Sequence, residues 1–293
     1  MTFKQLEKIF KDELSGLYEA NEALGLFHLT AEHVSGIRPA TLMLQMSSVI
    51  NSEEERSYQS ILSSLKEGRP IQHIIGEAWF YGLKFKVNSA VLIPRPETEE
   101  LVHWILESAS RDQPMQFLDI GTGSGCIAVS LKKNLPQSKG YAMDISSAAL
   151  EVAGENAAVN NVEIKLIPSD ILVYKSNEQF DLIVSNPPYI TPGERGDMHQ
   201  NVLDFEPEMA LFVTADDPLI FYKCIADFAL GHLNSSGYMF FEINEYLGKE
   251  MIAMLTAKAF TDIQLKKDMQ GKDRMIRCKI PQDNLIRSGD DNQ

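Results

Sequence analysis

The chain has 293 residues, 44% of them hydrophobic and 23% charged, the profile of one or two globular domains with enough apolar material for an ordinary core. Its 27 Lys and Arg face 41 Asp and Glu, a net charge of −14 that repels a polyanion, so bulk nucleic acid is not the expected substrate and a small cation or a basic protein suits the field better. No run approaches the ~18–20 apolar residues of a membrane helix, and the charged, amphipathic residues 1–11 lack the apolar core of a signal peptide, so no membrane role is expected and the cytoplasm is the expected location. Cys126, Cys224 and Cys278 lie far apart with no paired spacing; they read as small buried residues, with no disulfide framework and no metal site.

In chain order, Phe3, Leu6, Phe10, Leu14 and Leu17 recur at helical spacing. A second helix is predicted from Ser52, as its cap, through Tyr58, Ile61, Leu62 and Leu65 to a stop at Gly68, Arg69 and Pro70, with Glu54 and Glu55 in its first turn. Residues 74–91 turn aromatic and β-branched, with Tyr81 and Gly82 as the turn of a hairpin bridging two domains. Beyond residue 116 short apolar strands alternate with helices: strands at 117–120, 140–143, 164–167, 180–184, 238–243 and 274–279, and helices at 126–133 and 147–160. This alternation predicts an open α/β sheet wound by helices on both faces. The expected division is a helical domain over 1–72, a β-hairpin linker over 73–91, a catalytic domain over 92–284 and a tail over 285–293.

The most informative turn is Phe117-Leu118-Asp119-Ile120-Gly121-Thr122-Gly123-Ser124-Gly125, a strand that ends in three alternate glycines and then opens a helix. Such a loop lets a ligand approach the backbone, with free N–H groups at the helix start. Gly123, Gly125 and Ala128 would also satisfy a dinucleotide fingerprint, with Asp144 at the end of the next strand as the ribose acid. Asp119 separates the two readings. A carboxylate beside the loop repels a pyrophosphate and attracts an ammonium and a sulfonium, which favours S-adenosyl-L-methionine, its ribose hydroxyls donating to Asp144. A tight turn with incidental acids is the plain structural alternative.

A later strand, residues 180–185, runs into Asn186-Pro187-Pro188-Tyr189, and the carboxyl end of a central strand is where open α/β sheets bind ligands. An amide nitrogen is a poor nucleophile because its lone pair is delocalised. A site accepting both its N–H hydrogens, from the Asn186 side-chain oxygen and the Pro187 carbonyl, favours a pyramidal nitrogen whose lone pair faces a methyl donor. Two prolines stiffen that carbonyl, and Tyr189 offers a flat face to a planar acceptor. Asn-Pro-Pro is also an ordinary turn; its position about 60 residues after the glycine loop, at a second strand end, makes the pair informative.

Enzymes that methylate amino groups of DNA or RNA share this motif pair with those that methylate protein glutamine. Residues 69–76 (Arg-Pro-Ile-Gln-His-Ile-Ile-Gly), 92–102 (Leu-Ile-Pro-Arg-Pro-Glu-Thr-Glu-Glu-Leu-Val), the two motifs above, and Phe205-Glu206-Pro207 with Ala210-Leu211 resemble the HemK/PrmC family, the peptide chain release factor N5-glutamine methyltransferases. The resemblance runs over nearly the whole chain. It implies a class I S-adenosylmethionine-dependent methyltransferase fold, Rossmann-like with a mostly parallel seven-stranded sheet, a small N-terminal helical domain and a β-hairpin linker. It implies that Asp119, Gly121, Thr122, Gly123, Ser124, Gly125, Asp144, Asp170, Ile171 and Asn186 hold the cofactor, and that Asn186, Pro187, Pro188 and Tyr189 hold the glutamine, with Asn186, Pro187 and Tyr189 in the catalytic role. Ile171 stands where the family often has an aromatic residue on the adenine, and residues 240–245 depart from the glycine-containing continuation more usual there. The implied partner is a peptide chain release factor bearing Gly-Gly-Gln, docked by the helical module, with the enzyme a monomer and nucleic acid no direct substrate. Pro94-Arg95-Pro96 would close over the cofactor pocket or serve as a rigid linker, and Phe205-Glu206-Pro207 would shape the acceptor channel or cap a loop. A nucleic-acid amino-methyltransferase, which would carry a basic face or a base-reading domain, and a binding module that has lost its chemistry are the competing readings.

Overall fold

The structure is a computed structural model describing residues 1–110, 113–198, 200–213 and 217–280; the expected tail over 285–293 and the expected end of the catalytic domain at 284 lie outside them. The chain divides into two compact units, residues 1–77 with a short later segment, and the remainder from Ala78. Among the described residues no helix is long and apolar enough to cross a membrane.

The first unit is helical: α1 (Phe3–Leu14), α2 (Ala20–Ser35), α3 (Pro39–Leu42), α4 (Ser52–Lys66) and α5 (Ile71–Ile75). Thr2 caps α1 through a reciprocal pair, Gln5 N–H to the Thr2 hydroxyl and Thr2 N–H to Gln5 Oε1. The helix ends before Leu17, which is exposed, because the N–H groups of Leu17 and Tyr18 both fold back onto the Leu14 carbonyl. The cap of α4 is Asn51 and not Ser52: its side-chain oxygen accepts from Glu53 and Glu54 N–H at 2.9 Å each, and Glu54 returns a carboxylate to Asn51 N–H. The core of the unit is aromatic, with the ring centroids of Phe10 and Phe27 5.5 Å apart and Tyr58 buried beside both.

The second unit opens with a hairpin of β1 (Glu77–Phe80) and β2 (Leu83–Lys86), whose turn residues Tyr81 and Gly82 both have positive φ, 49° and 73°. There follow α6 (Pro96–Ser108), β3 (Gln116–Ile120), α7 (Cys126–Asn134), β4 (Lys139–Asp144), α8 (Ser147–Val159), β5 (Ile164–Pro168) and β6 (Phe180–Ser185). After α9 (Gln200–Phe205), which belongs to the first unit, come α10 (Glu208–Leu211), α11 (Ile220–His232), β7 (Leu233–Glu242), α12 (Gly248–Ala257), β8 (Thr261–Lys267) and β9 (Asp273–Lys279).

Seven strands form one sheet in the order β5-β4-β3-β6-β7-β9-β8, parallel except for β9, which runs antiparallel to both of its neighbours. Side chains alternate across it as the pleat requires. Phe117, Leu182, Val184 and Phe240 pack on one face with α6, α7 and the hairpin's Phe80 and Phe85. Leu118, Ile183, Met239 and Phe241 pack on the other with α11 and α12. The strand missing from the sequence-based series is β8; it lies at the sheet edge with mostly exposed or half-buried side chains, so it shows no sustained apolar alternation. β7 begins earlier than expected, at Leu233, with an irregular register against β6 between Phe180 and Leu182. The central fact for function is the order itself. From β3 the chain winds outward through β4 and β5, then returns to place β6 on the other side of β3, which opens a crevice at the carboxyl ends of these strands.

Candidate functional site

A cavity of about 630 Å3 occupies that crevice, lined by Gly121, Thr122, Gly123, Ser124, Asp144, Asp170, Ile171, Asn186, Pro187 and Pro188 from the expected set. Residues after four neighbouring strands, β3, β4, β5 and β6, therefore meet in one space. The glycine loop is held low by two bonds to one acceptor, the N–H groups of Gly121 and Thr122 both donating to the Met143 carbonyl at 2.9 Å. Gly121, Gly123 and Gly125 all have positive φ. At Gly125 the space is tight as well, since a Cβ would stand 3.1 Å from Ala153 Cβ and 3.2 Å from its Cα. Gly125 thus lets α7 start tight against α8 and does not itself line the cavity.

The three acids occupy different depths. Asp144 is half-buried at the cavity wall; its Oδ2 accepts from Gly123 N–H and its Oδ1 from Ser146 N–H, both at 2.9 Å, so its orientation is fixed and each oxygen keeps a second lone pair. Asp170 also lines the cavity and is fixed by Leu172 N–H at 2.9 Å. Asp119 does not line it. Fully buried beneath the loop, it accepts through Oδ2 from the Thr122 hydroxyl at 2.6 Å and from Ala128 N–H at 3.2 Å, tying loop and helix to the strand. Its Oδ1 is buried without a hydrogen-bond partner, and burial pushes the carboxyl up to about 7 despite those two bonds. An orphaned acceptor under the loop suits a ligand that brings positive charge, and the apolar wall of Ile145, Ile171, Leu172, Phe221 and Ile225 suits a flat aromatic group.

On the opposite wall Asn186 follows the last residue of β6 and is half-buried. Its Nδ2 donates to the Thr98 hydroxyl oxygen at 3.4 Å, and that hydroxyl donates to Glu242 Oε2 at 2.6 Å. Tyr189 lies outside the cavity lining. Its ring is packed against the apolar cluster on the α11 face, and its hydroxyl donates to Glu242 Oε1 at 3.4 Å. The sequence-based expectation of a flat tyrosine face toward the acceptor thus meets a half-buried ring held from behind; burial and the neighbouring Glu242 push its hydroxyl pKa up. Glu242 itself is buried, and desolvation raises its carboxyl pKa against the pull of the Thr98 hydroxyl and Arg274.

Several residues at the site carried no clear signal in the sequence. Thr98 lines the cavity from the first turn of α6, and Glu242 ends β7 directly beside Asn186, since Ser185 and Phe241 are register partners. Pro94 and Arg95 do line the cavity, and Arg95 Nη2 pairs with Glu206 Oε1 at 2.5 Å while Glu206 Oε2 accepts from Ile93 N–H at 3.1 Å. Glu206 is therefore a buried anchor for the 93–95 segment, and Pro207 of the same triplet lines the cavity. Asn156, buried on α8, accepts from Lys86 N–H at 2.6 Å and donates to the Lys86 and Ser124 carbonyls at 2.9 Å, joining hairpin, helix and glycine loop.

Comparison with known proteins agrees with this geometry. Residues 99–205 match the family model "Methyltransferase small domain", and residues 8–76 match "PrmC N-terminal domain". Among solved structures, a methyltransferase from Pyrococcus furiosus aligns with a TM-score of 0.51 at 17% identity, covering 76% of this chain and 98% of that one. The human methyltransferase 10 domain containing protein aligns with a TM-score of 0.51 at 18% identity, over 69% of this chain and 90% of that one; both likenesses concern the fold. The release factor glutamine methyltransferase of Bacteroides thetaiotaomicron is 39% identical over 268 residues, 91% of this chain and 96% of its own. That of Flavobacterium psychrophilum is 42% identical over 284 residues, 96% of this chain and all of its own. A sheet whose crevice joins a glycine loop to Asn-Pro-Pro, matched to such relatives from end to end, makes this chain a member of the release factor glutamine methyltransferase family.

Proposed function

We propose that the protein transfers a methyl group from S-adenosyl-L-methionine to the N5 side-chain nitrogen of the glutamine in the Gly-Gly-Gln motif of peptide chain release factors, and so modulates translation termination. The observation that carries this reading is the single cavity shared by the glycine loop, Asp144 and Asn186. When bound, the cofactor would supply a sulfonium-borne methyl group open to attack by a nitrogen lone pair, the S–C bond breaking to leave the neutral thioether S-adenosylhomocysteine and the nitrogen's extra proton passing to solvent. Asp144 offers its remaining lone pairs to the ribose hydroxyls, Asp170 and Ile171 flank the adenine, and Asp119 compensates positive charge from beneath the loop. Gly121, Thr122, Gly123 and Ser124 line that side, and Gly125 lets the helix behind them start close to its neighbour.

On the acceptor side Asn186 presents Oδ1 and Pro187 its carbonyl to the two amide hydrogens of the glutamine. Both hydrogens then lie away from the donor, the nitrogen lone pair faces it, and no base is needed before transfer because the proton becomes acidic only as the nitrogen gains its fourth bond. Pro188 stiffens the Pro187 carbonyl, and Tyr189, packed on the core and donating to Glu242, anchors the end of the segment. The division into helical module, hairpin and sheet domain belongs to the same proposal: the helical unit docks the release factor and the sheet unit does the chemistry. The enzyme acts in the cytoplasm as a monomer, with nucleic acid no direct substrate.

The test is transfer from labelled S-adenosyl-L-methionine to unmodified release factor, beside a Gly-Gly-Ala version of that factor and a nucleic-acid control. Label on the Gly-Gly-Gln factor alone is expected; label on nucleic acid only, or on both factors alike, overturns the assignment. Asn186→Ala is expected to leave cofactor affinity largely intact and lose roughly 10² in turnover, and equal turnover removes the mechanism. Asp144→Ala is expected to weaken cofactor binding by roughly ten-fold to a hundred-fold in titration calorimetry, the worth of charged hydrogen bonds, and unchanged affinity removes the ribose role.

A further inference from the structure

Asn186 can serve a glutamine amide only if its own amide is turned the right way. Its oxygen and nitrogen are nearly identical in shape, and rotation by half a turn exchanges an acceptor for a donor. The rotated form would point N–H groups at the N–H groups of the substrate. What surrounds Asn186 therefore decides whether the site accepts the substrate nitrogen or repels it.

The chain of contacts behind it has a definite direction. Glu242 ends β7 and is buried; as a carboxylate it can only accept. The Thr98 hydroxyl has one hydrogen, and at 2.6 Å it is committed to Glu242 Oε2. The Thr98 oxygen is then left with lone pairs alone, so the Asn186 atom 3.4 Å away must be the donor, Nδ2, and Oδ1 is turned to the cavity. The second oxygen of Glu242 accepts from the Tyr189 hydroxyl at 3.4 Å, and its backbone carbonyl accepts from Tyr222 at 3.1 Å. One buried carboxylate thus orders both outer residues of the Asn-Pro-Pro-Tyr segment. We propose that Thr98 and Glu242 are positioning residues that set the amide orientation of Asn186 and with it the acceptor character of the substrate site. This rests on the reading of Asn186 as the group that accepts from the substrate amide.

Thr98→Val and Glu242→Gln should break the chain at different links, and Thr98→Ser should leave it whole. Thr98→Val keeps the shape and removes the hydroxyl, so both amide orientations of Asn186 become available. Thr98→Ser keeps the hydroxyl. Glu242→Gln removes the buried charge and introduces an amide that can donate to Thr98, releasing the hydroxyl hydrogen toward Asn186 and favouring the wrong rotation.

The experiment is a double-mutant cycle in methyl transfer to unmodified release factor, with cofactor affinity measured separately on each variant. Thr98→Val and Glu242→Gln are expected to lower kcat roughly ten-fold or more with cofactor affinity little changed, and Thr98→Ser to restore most of the loss. Introduced together with Asn186→Ala, Thr98→Val should cost little further, because the group it orients is gone; a role in general packing would cost the same in either background. Wild-type kcat in Thr98→Val, or an equal loss with and without Asn186→Ala, overturns the positioning role while Asn186→Ala alone still tests the reading beneath it. If Asn186→Ala itself turns over normally, that reading fails and this inference with it.

Discussion

Asn156 joins three segments distant in sequence, and its removal should be felt throughout the sheet unit. The residue is fully buried, accepts from Lys86 N–H, and donates to the Lys86 and Ser124 carbonyls. Asn156→Ala leaves the buried Ser124 carbonyl and the part-buried N–H and carbonyl of Lys86 unpaired, each costing about 1–3 kcal/mol where water cannot reach it. With partial relief by water, the expected loss is roughly 3–5 kcal/mol, or about 10 °C in melting temperature at the ~2–4 °C per kcal/mol usual for a unit of this size. Asn156→Asp should be no milder: it can still accept from Lys86 N–H, but it sets a buried negative charge against two carbonyl oxygens. Tryptophan fluorescence in a denaturant titration isolates the effect, because the chain has two tryptophans and both, Trp79 and Trp104, lie in the second unit. Because Ser124 belongs to the glycine loop, cofactor affinity should fall with stability. A loss below about 1 kcal/mol for Asn156→Ala would refute the claim that these three bonds are the joint between hairpin, helix and loop.

Two further outcomes concern the glycine loop. Asp119 holds a proton up to about 7 in the folded chain, mainly through burial, whereas in the unfolded chain its value is 3.8. Below about pH 4 it is protonated in both states; between about 4 and 7 the folded chain keeps a proton the unfolded one has released, so the stability of the cofactor-free protein falls as pH rises through that window, by up to roughly 4 kcal/mol. Asp119→Asn should flatten that part of the slope between about pH 4 and pH 7 in denaturant titrations, and identical slopes would contradict the assignment. Gly125→Ala combines a φ of +78° with a Cβ at 3.1 Å from Ala153 Cβ. A loss of about 2–4 kcal/mol is expected from strain and overpacking together, and an unfolding midpoint equal to the wild type's would show that α7 and α8 can part without cost.

What the sequence determined by itself is what depends on neighbours along the chain. The alternation of short apolar runs with helices announced a wound α/β sheet, Tyr81-Gly82 announced a hairpin turn, and the glycine loop and Asn-Pro-Pro-Tyr were legible as short segments bearing distinctive residue types. Periodicity and turn chemistry are local, so they survive in a one-dimensional reading. The edge strand β8 was lost because pairing with β9, and not an apolar pattern of its own, defines it. The cap of α4 moved to Asn51 because two good capping residues stand side by side and only hydrogen-bond geometry chooses between them. Tertiary structure alone decided how the site is supported. Thr98 and Glu242 are 144 residues apart, Ile93 and Glu206 are 113 apart, and Lys86 and Asn156 are 70 apart, yet each pair shares a hydrogen bond. Tertiary structure likewise turned Tyr189 onto the core and sank Asp119 beneath the loop, leaving Asp144 at the wall. Composition and spacing specify which chemical groups the chain owns; only the winding of the sheet, which brings the ends of β3 to β7 together, decides which of them meet and which are shut away from water.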